Sequence, residues 1–301
     1  MSQPFRLGAL DFCHLHDGTW PVQVLCETLD LAPRVESFGY SRYWLAEHHN
    51  PNIAHGSPEV LLPLLAASTS SMRVGTAGIL LNYYSPYKVA SVFRALSALF
   101  PQRIDLGLAR GSSGEPIRRV MLGDAPQSPY AEKVGDLMSF LRGKSEPVAH
   151  PAGTPPPEVW VLGSQTTSLE IAAAHGTAFC LALFLHETEV DVRALLDEYK
   201  ARFQPSPELA SPKWAVAVAG ACAEREEEAQ QHARNRLPFV TPTLVGTPEQ
   251  CRESLEEMRR LYETDEIVFL DLCRAFDDRV RSYGLLAEAA GLPAPVTPAA
   301  S

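Results

Sequence analysis

Residues 42–50, RYWLAEHHN, decide the fold because they join a strand to a candidate site. The first half, through Ala46, is short, apolar and rich in aromatic residues, as is typical of a buried strand. A carboxylate and two histidines follow where a polar loop should begin: Glu47, His48 and His49. Parallel α/β folds build their sites from polar groups at strand ends, so this pattern favours a pocket here. A surface loop that happens to hold two histidines is an equal alternative on this stretch alone.

Strand-like and helix-like segments alternate along the rest of the chain. Eight strands are predicted, at 5–12, 42–46, 72–80, 103–109, 159–162, 178–184, 214–221 and 267–271. Helices are predicted at 21–38, from Ser57-Pro58, at 86–99, 115–122, 131–141, 168–175, 188–203 and 224–236, from Thr247-Pro248, and at 277–290. This alternation predicts an α/β fold of the (β/α)8 TIM barrel type, with its site at the carboxyl ends of the strands. A doubly wound open sheet is the alternative, but it would need a sharper break in the middle of the chain.

The proline-rich segment 150–157, HPAGTPPP, cannot form a regular helix. It could link two domains, but strand-like VWVL follows at 159–162, so we interpret it as a loop within one domain. We therefore expect one barrel domain over residues 1–292 and a disordered tail over residues 293–301.

Composition and charge narrow the functional classes. The net charge of −10 and the lack of a basic stripe argue against a nucleic-acid partner. The first residues, MSQPFRLGALDF, do not have the pattern of a signal peptide, and no apolar run is long enough to span a membrane. The six cysteines fit neither a zinc site nor a disulfide framework, and His48-His49 lacks an HExxH pattern, so we expect no metal site. These features predict a cytoplasmic protein with no membrane partner.

Two further strand ends are suited to a phosphate. The predicted fourth strand ends in ARGSSG, residues 109–114, where Arg110 offers a fork of donors and Gly111 leaves backbone N–H groups exposed. The fifth strand ends in LGSQTTS, residues 162–168, where hydroxyl groups enter a helix start. A generic glycine-serine loop and simple helix capping by Thr167 or Ser168 are the respective alternatives. Neither loop has the GxGxxG spacing of a nicotinamide site.

Longer stretches of the chain resemble the flavin-dependent luciferase-like monooxygenases, in the bacterial branch that carries an AEHHN segment. The matching text is FGYSRYWLAEHHN, SPEVLLPLLAASTSSMRVGTAGILL, PYKVASVFRALSALFPQRIDLGLARG, VWVLGSQ, and the region from VGTPEQ to LLAEAAGL. These pieces stand in family order and cover about two thirds of the chain. The resemblance implies a barrel that binds FMN, with the reduced form as a cosubstrate.

The resemblance also implies roles for individual residues. His48 matches the family's catalytic histidine beside the flavin ring. Ala77-Gly78 matches the place where relatives carry a cis peptide bond against the flavin, a bond that is rare outside proline. Four residues match the positions that bind the flavin phosphate: Arg110, Gly111, Ser164 and Gln165.

Departures from the family pattern concern the substrate and the cover of the site. Three residues are candidate substrate contacts because they replace the usual family text: His55, Tyr83 and Tyr84. The lid insertion that relatives place after the seventh strand is shortened here to residues 222–244. We therefore expect a wide mouth on that side and a bulky substrate that stacks on the two tyrosines. Cover by a second subunit or by residues 115–143 is the alternative.

The resemblance implies a two-component monooxygenase, in which reduced FMN and O2 insert one oxygen atom into an organic substrate such as a bulky secondary metabolite. Because the sequence shows no nicotinamide site, a separate flavin reductase is the expected partner. The alternatives are hydride transfer with FMN or the deazaflavin F420, a non-catalytic flavin-binding protein, and a barrel enzyme for a phosphate substrate. The apolar faces of the second and third predicted helices are expected to form a homodimer, although the barrel could equally bury them.

Overall fold

Parallel strands alternate with helices in the computed structural model, which describes residues 4–16, 18–111, 114–123, 128–185 and 192–293. The strands are β1 Arg6–Asp11, β2 Arg42–Leu45, β3 Arg73–Thr76, β4 Ile79–Leu80, β5 Ile104–Ala109, β6 Glu158–Gly163, β7 Ala178–Ala182, β8 Trp214–Cys222, β9 Leu244–Gly246 and β10 Glu266–Asp271. The helices are α1 Pro21–Ser37, α2 Leu62–Ser68, α3 Pro86–Leu99, α4 Gly114–Leu122, α5 Tyr130–Leu141, α6 Thr166–His175, α7 Val192–Arg202, α8 Glu226–Ala233, α9 Pro248–Tyr262 and α10 Phe276–Ala290.

The strands close into one ring. Around it the order runs from β10 through β1, β2, β3, β5, β6 and β7 to β8, which pairs with β10 and completes the barrel. The short β4 continues the position of β3, since both pair with β5. Every pairing is parallel, so the carboxyl ends of all strands meet at one rim. The predicted TIM barrel is confirmed, and the open-sheet alternative is wrong.

Two predicted strands differ from the structure, and one strand was not predicted. The third strand is divided into β3 and β4 at the cis peptide bond between Ala77 and Gly78. The sixth strand ends at Ala182 and passes into a 3-10 turn, Leu183–Leu185. β9, which pairs with the end of β8, was not predicted, because three residues are too few to show a strand period. The start of the predicted seventh helix, 188–191, and the tail beyond 293 lie outside the described residues.

One predicted helix start is confirmed, and two predictions about helix starts are corrected. Thr247 forms a complete capping box with Gln250 at the start of α9. Ser57 does not cap a helix; its segment begins as a 3-10 turn, Pro58–Val60, and α2 follows. Capping of α6 by Thr167 or Ser168 is also wrong, because the N-cap is Gln165 and both residues lie inside the helix.

The amino-terminal end of the barrel interior is filled by ion pairs. Arg42 is only 3% exposed, and it pairs with Asp105 at 2.5 Å and with Glu266. Its guanidinium also lies over the rings of Trp44 and Trp160, 5.2 and 4.8 Å from their centroids. Gly8 leaves the room that this side chain needs, since a Cβ there would come within 2.5 Å of the Arg42 Cγ. These paired charges close the barrel floor.

The two helices expected to form a dimer bury most of their apolar residues against the barrel. Leu61 and Leu65 are buried, as are the α3 residues Val89, Phe93 and Leu96. Val60, in the 3-10 turn before α2, and Leu64, on α2, stay exposed at 64% and 52%, which leaves a small apolar strip around the start of this helix. The homodimer therefore stays a prediction. Among the helices of the described ranges, none is both long and apolar enough to cross a membrane.

Candidate functional site

Glu47 ties together the loops on one side of the barrel mouth. It is buried directly after β2, and its carboxylate accepts hydrogen bonds from the Leu80 N–H at 2.9 Å and the Tyr84 hydroxyl at 2.6 Å. The His49 Nε2 lies 2.7 Å from the same carboxylate. One side chain therefore fixes the loop that carries His48 against the turn that follows β4. No local sequence pattern links Glu47 to these partners, since they lie up to 37 residues away.

His48 lies between aromatic rings at the centre of the mouth. The Phe12 ring meets it edge to face, with ring centroids 4.6 Å apart. Burial, followed by the charges of His49, His55 and His14, lowers the pKa of His48 from 6.5 to about 4. Its buried Nδ1 has no hydrogen-bond partner within the described part of the chain. His48 is therefore a neutral imidazole at physiological pH, with a ring nitrogen available to a ligand.

His55 faces a polar network behind the mouth. Its Nε2 lies 3.2 Å from the Cys13 Sγ, which in turn lies 3.3 Å from the Thr28 hydroxyl. Thr28 donates to Asp11, whose carboxylate also pairs with Arg279 at 3.0 Å. Burial lowers the pKa of His55 and leaves it neutral. A substrate contact for His55 stays a prediction, and only its buried Nδ1, which has no partner among the described residues, is available for one.

The two tyrosines after β4 take different positions. Tyr83 lines a cavity at the mouth, together with Arg110 and Gly111. Tyr84 instead turns its hydroxyl to Glu47, and its ring packs partly buried against the core. Burial and this hydrogen bond raise the pKa of Tyr84 above its ordinary value. The contacts of Tyr84 are those of a residue that holds the loop, and they give no support to its expected substrate role.

The cavity beside Arg110 is about 540 Å³ in volume and lies between the turn after β4, the end of β5, and helices α4, α5 and α6. Thr167, in the first turn of α6, lines it opposite Arg110. Tyr130, the first residue of α5, also lines it; it is 9% exposed, and its hydroxyl has no partner among the described residues. Burial raises the pKa of Tyr130, so its hydroxyl stays protonated and can donate to an anion.

The predicted phosphate pair after β6 does not line this cavity. Gln165 is the exposed N-cap of α6, and the half-buried Ser164 precedes it. Thr167 and Tyr130 line the cavity instead, so the phosphate roles of Ser164 and Gln165 stay predictions. Thr167 could be found from the sequence because it stands in the LGSQTTS loop, whereas Tyr130 is separated from Arg110 by twenty positions with no pattern that links them.

The peptide unit Ala77-Gly78, called the platform from here on, lies between the residues around His48 and those around Arg110 along the ring of strands. The bond is cis, as the resemblance implies. A Cβ at Gly78 would come within 2.8 Å of the Gly107 backbone, so only glycine fits against β5 here. Within the described ranges, no three His, Cys, Asp or Glu side chains converge as metal ligands would.

A model of the luciferase-like monooxygenase family matches residues 7–243. The chain belongs to this family. It is 34% identical to the N-acetyl-S-alkylcysteine monooxygenase of Bacillus subtilis (strain 168), in an alignment that covers 86% of this chain and 81% of the relative. Among solved structures, apo-MsnO8 is 31% identical and superposes with a TM-score of 0.88, over 97% of this chain and all of its own.

A more distant structure shares the fold. The oxygenating constituent of 3,6-diketocamphane monooxygenase from Pseudomonas putida, solved in complex with FMN, superposes with a TM-score of 0.72 over 96% of this chain and 98% of its own. At 15% identity it shows the barrel alone. The family that residues 42–50 and the later stretches predicted is therefore confirmed.

The shortened lid of this family member packs against the strand ends beside β8. In the segment between α8 and β9, Val240 is fully buried and the Thr241 N–H donates to the Phe184 carbonyl at 2.8 Å. Phe239 lies 6.1 Å from His48 between ring centroids and is 43% exposed. The segment covers part of this side, and the expected wide mouth stays a prediction.

Proposed function

We propose that this chain is a flavin-dependent monooxygenase that uses reduced FMN and O2 to transfer one oxygen atom to an organic substrate. The observation that carries the proposal is the cavity beside Arg110, which is lined by Arg110, by Thr167 in the first turn of α6 and by the buried Tyr130. Phosphate is the group that these donors fit, since it accepts several charge-assisted hydrogen bonds at once.

The residues present fit the rest of the cofactor as well. Gly111 has a φ of +54°, and a Cβ there would come within 2.3 Å of the Leu80 side chain, so a glycine keeps the backbone close to the cavity wall. The platform at Ala77-Gly78 lies between the cavity and His48, where the flat ring system of FMN would extend from its phosphate. When bound, reduced FMN supplies the electrons and the reactivity toward O2.

The chain's own residues position and shield that chemistry. Arg110, Thr167 and Tyr130 would hold the phosphate, and Glu47 would hold the loop of His48 at the ring. A neutral His48 can accept or return a proton at its Nδ1. The segment around the buried Val240 would cover part of the mouth and limit the access of water.

FMN and F420 are the two cofactors to distinguish, and a titration with each of them does so. The wild-type protein should bind FMN, and Arg110→Ala should weaken that affinity by about 10- to 100-fold through the loss of a charge-assisted contact. Arg281→Ala removes an exposed arginine outside the cavity and serves as the control. Binding of F420 alone, or equal FMN affinity in all three proteins, would contradict the proposal.

The partners follow from the same proposal. Reduced FMN would come from a separate flavin reductase, and turnover should require both that reductase and O2. We also propose a homodimer through the exposed strip of α2, which light scattering at micromolar concentration would test. Turnover without O2 would instead favour hydride transfer.

A further inference from the structure

Three aromatic rings meet at the mouth of the barrel, away from the Arg110 cavity. Phe12 follows β1 and His48 follows β2, while Phe239 lies between α8 and β9. Arg110 and Thr167 follow β5 and β6, on the opposite arc of the ring of strands. The two sets of residues are therefore placed to hold different molecules, or different parts of one.

The three rings pack against one another. Phe12 and Phe239 are stacked, with their planes 27° apart and their centroids 6.4 Å apart, near the upper limit for direct ring contact. His48 forms T-shaped contacts with both, at 4.6 Å from Phe12 and 6.1 Å from Phe239. A flat group that moved Phe239 outward and entered between the phenyl rings would meet two aromatic faces beside the imidazole.

Of the two phenyl rings, Phe12 is held in place and Phe239 is free to adjust. Phe12 is buried in a cluster with Phe184 and Leu270. Phe239 is 43% exposed, although the backbone after it is anchored through Val240 and Thr241. Its ring can therefore move outward to admit a ligand without disturbing the fold.

We propose that Phe12, His48 and Phe239 clamp a flat, uncharged aromatic part of the substrate, and that Phe239 sets this specificity. The inference rests on the proposed function, because the flavin would occupy the Arg110 arc and the platform and leave the clamp to the substrate. Two phenyl faces favour a planar ring over a saturated group of equal size, since stacking adds to the burial of apolar area.

Calorimetric titration of the purified full chain with naphthol and with its saturated analogue decahydronaphthol tests the clamp. Naphthol should bind more tightly than decahydronaphthol. Phe239→Leu, which keeps the apolar volume but removes the flat face, should weaken naphthol by about 3- to 10-fold and leave decahydronaphthol within about 2-fold. Phe239→Tyr should retain naphthol binding. Leu261→Ala removes a half-exposed apolar side chain on α9 and is the control.

The FMN titration of the same variants separates the clamp from the cofactor site. Phe239→Leu should bind FMN like the wild type, whereas Arg110→Ala should lose FMN and keep naphthol. Equal binding of the two probes, or a loss of naphthol in Leu261→Ala as large as in Phe239→Leu, would overturn the clamp. Loss of FMN in Phe239→Leu would mean that the rings hold the flavin, which also overturns it. Phe239-dependent naphthol binding in a wild-type protein that does not bind FMN would refute the flavin function alone.

Discussion

The buried polar side chains at the two ends of the barrel differ in charge. At the amino-terminal end, the charge of Arg42 pairs with those of Asp105 and Glu266, although the Arg42 Nε has no hydrogen-bond partner among the described residues. At the carboxyl end, His48 and Tyr130 are neutral, and each has a buried polar atom with no partner among the described residues. The first end therefore contains its own counter-charges, whereas the second end holds neutral groups.

This difference separates stability from function within one barrel. A buried charge is costly unless it is paired, so the ion pairs at the floor hold only when the strands are in register. A buried polar atom without a partner also costs free energy, and it persists where a ligand can supply the missing bond. Changes at the floor should therefore affect folding, and changes at the mouth should affect binding.

The largest effect is expected from Asp105→Ala. This change leaves Arg42 buried without one of its carboxylate partners and also removes the carboxylate that Arg73 contacts at 2.6 Å. The free energy of unfolding in urea should fall by about 3–5 kcal/mol. Glu256→Ala breaks an exposed ion pair with Arg259 and should change it by less than about 1 kcal/mol. Similar losses in the two variants would remove the distinction between the ends.

His48 should make stability depend on pH at the mouth. The unfolded chain binds a proton near pH 6.5, but the folded chain does so only near pH 4, so this part of the stability is complete above 6.5 and is lost as the pH falls to about 4. At about 1.4 kcal/mol per pKa unit, the loss has an upper limit of about 3 kcal/mol. His48→Asn lacks this contribution. Urea unfolding curves measured from pH 7 to 4 should diverge between the two proteins; parallel curves would mean that folding does not change the pKa of His48.

Glu47 lies at the carboxyl end of the barrel, but its carboxylate has partners within the protein. It therefore tests whether pairing or location decides the effect on stability. Glu47→Gln keeps the size but replaces one acceptor oxygen with an NH2 group that can only donate, so either Tyr84 or Leu80 loses its acceptor. The free energy of unfolding should fall by about 1–3 kcal/mol. Tyr84→Phe removes one of the bonds and should cost about 1 kcal/mol. An unchanged stability in both would show that the loops are held by other contacts.

The smallest effect on stability is expected from Tyr130→Phe. The hydroxyl has no partner among the described residues, so its removal should leave the free energy of unfolding within about 1 kcal/mol of the wild type. FMN affinity should nevertheless fall, because the phosphate loses a donor. A variant that is clearly destabilised yet binds FMN normally would place Tyr130 with the structural residues of the floor.

Local sequence determined the elements of this fold and several parts of its site. The alternation of strand and helix patterns predicted the barrel. Each strand end lies within one short stretch of sequence, so Arg110 after β5 and His48 after β2 could be predicted as site residues. The family resemblance placed the cis bond at Ala77-Gly78. These features depend on residues that are neighbours in the chain.

Only the tertiary structure decided which strand ends share a partner. Glu47 reaches Tyr84 across 37 positions, Arg42 reaches Asp105 across 63, and Phe239 crosses most of the chain to meet Phe12. Periodicity reports one residue's neighbours along a helix or strand, whereas ring closure sets contacts between loops that are distant in sequence. For this reason the sequence alone did not predict that three aromatic rings from distant loops meet at the mouth.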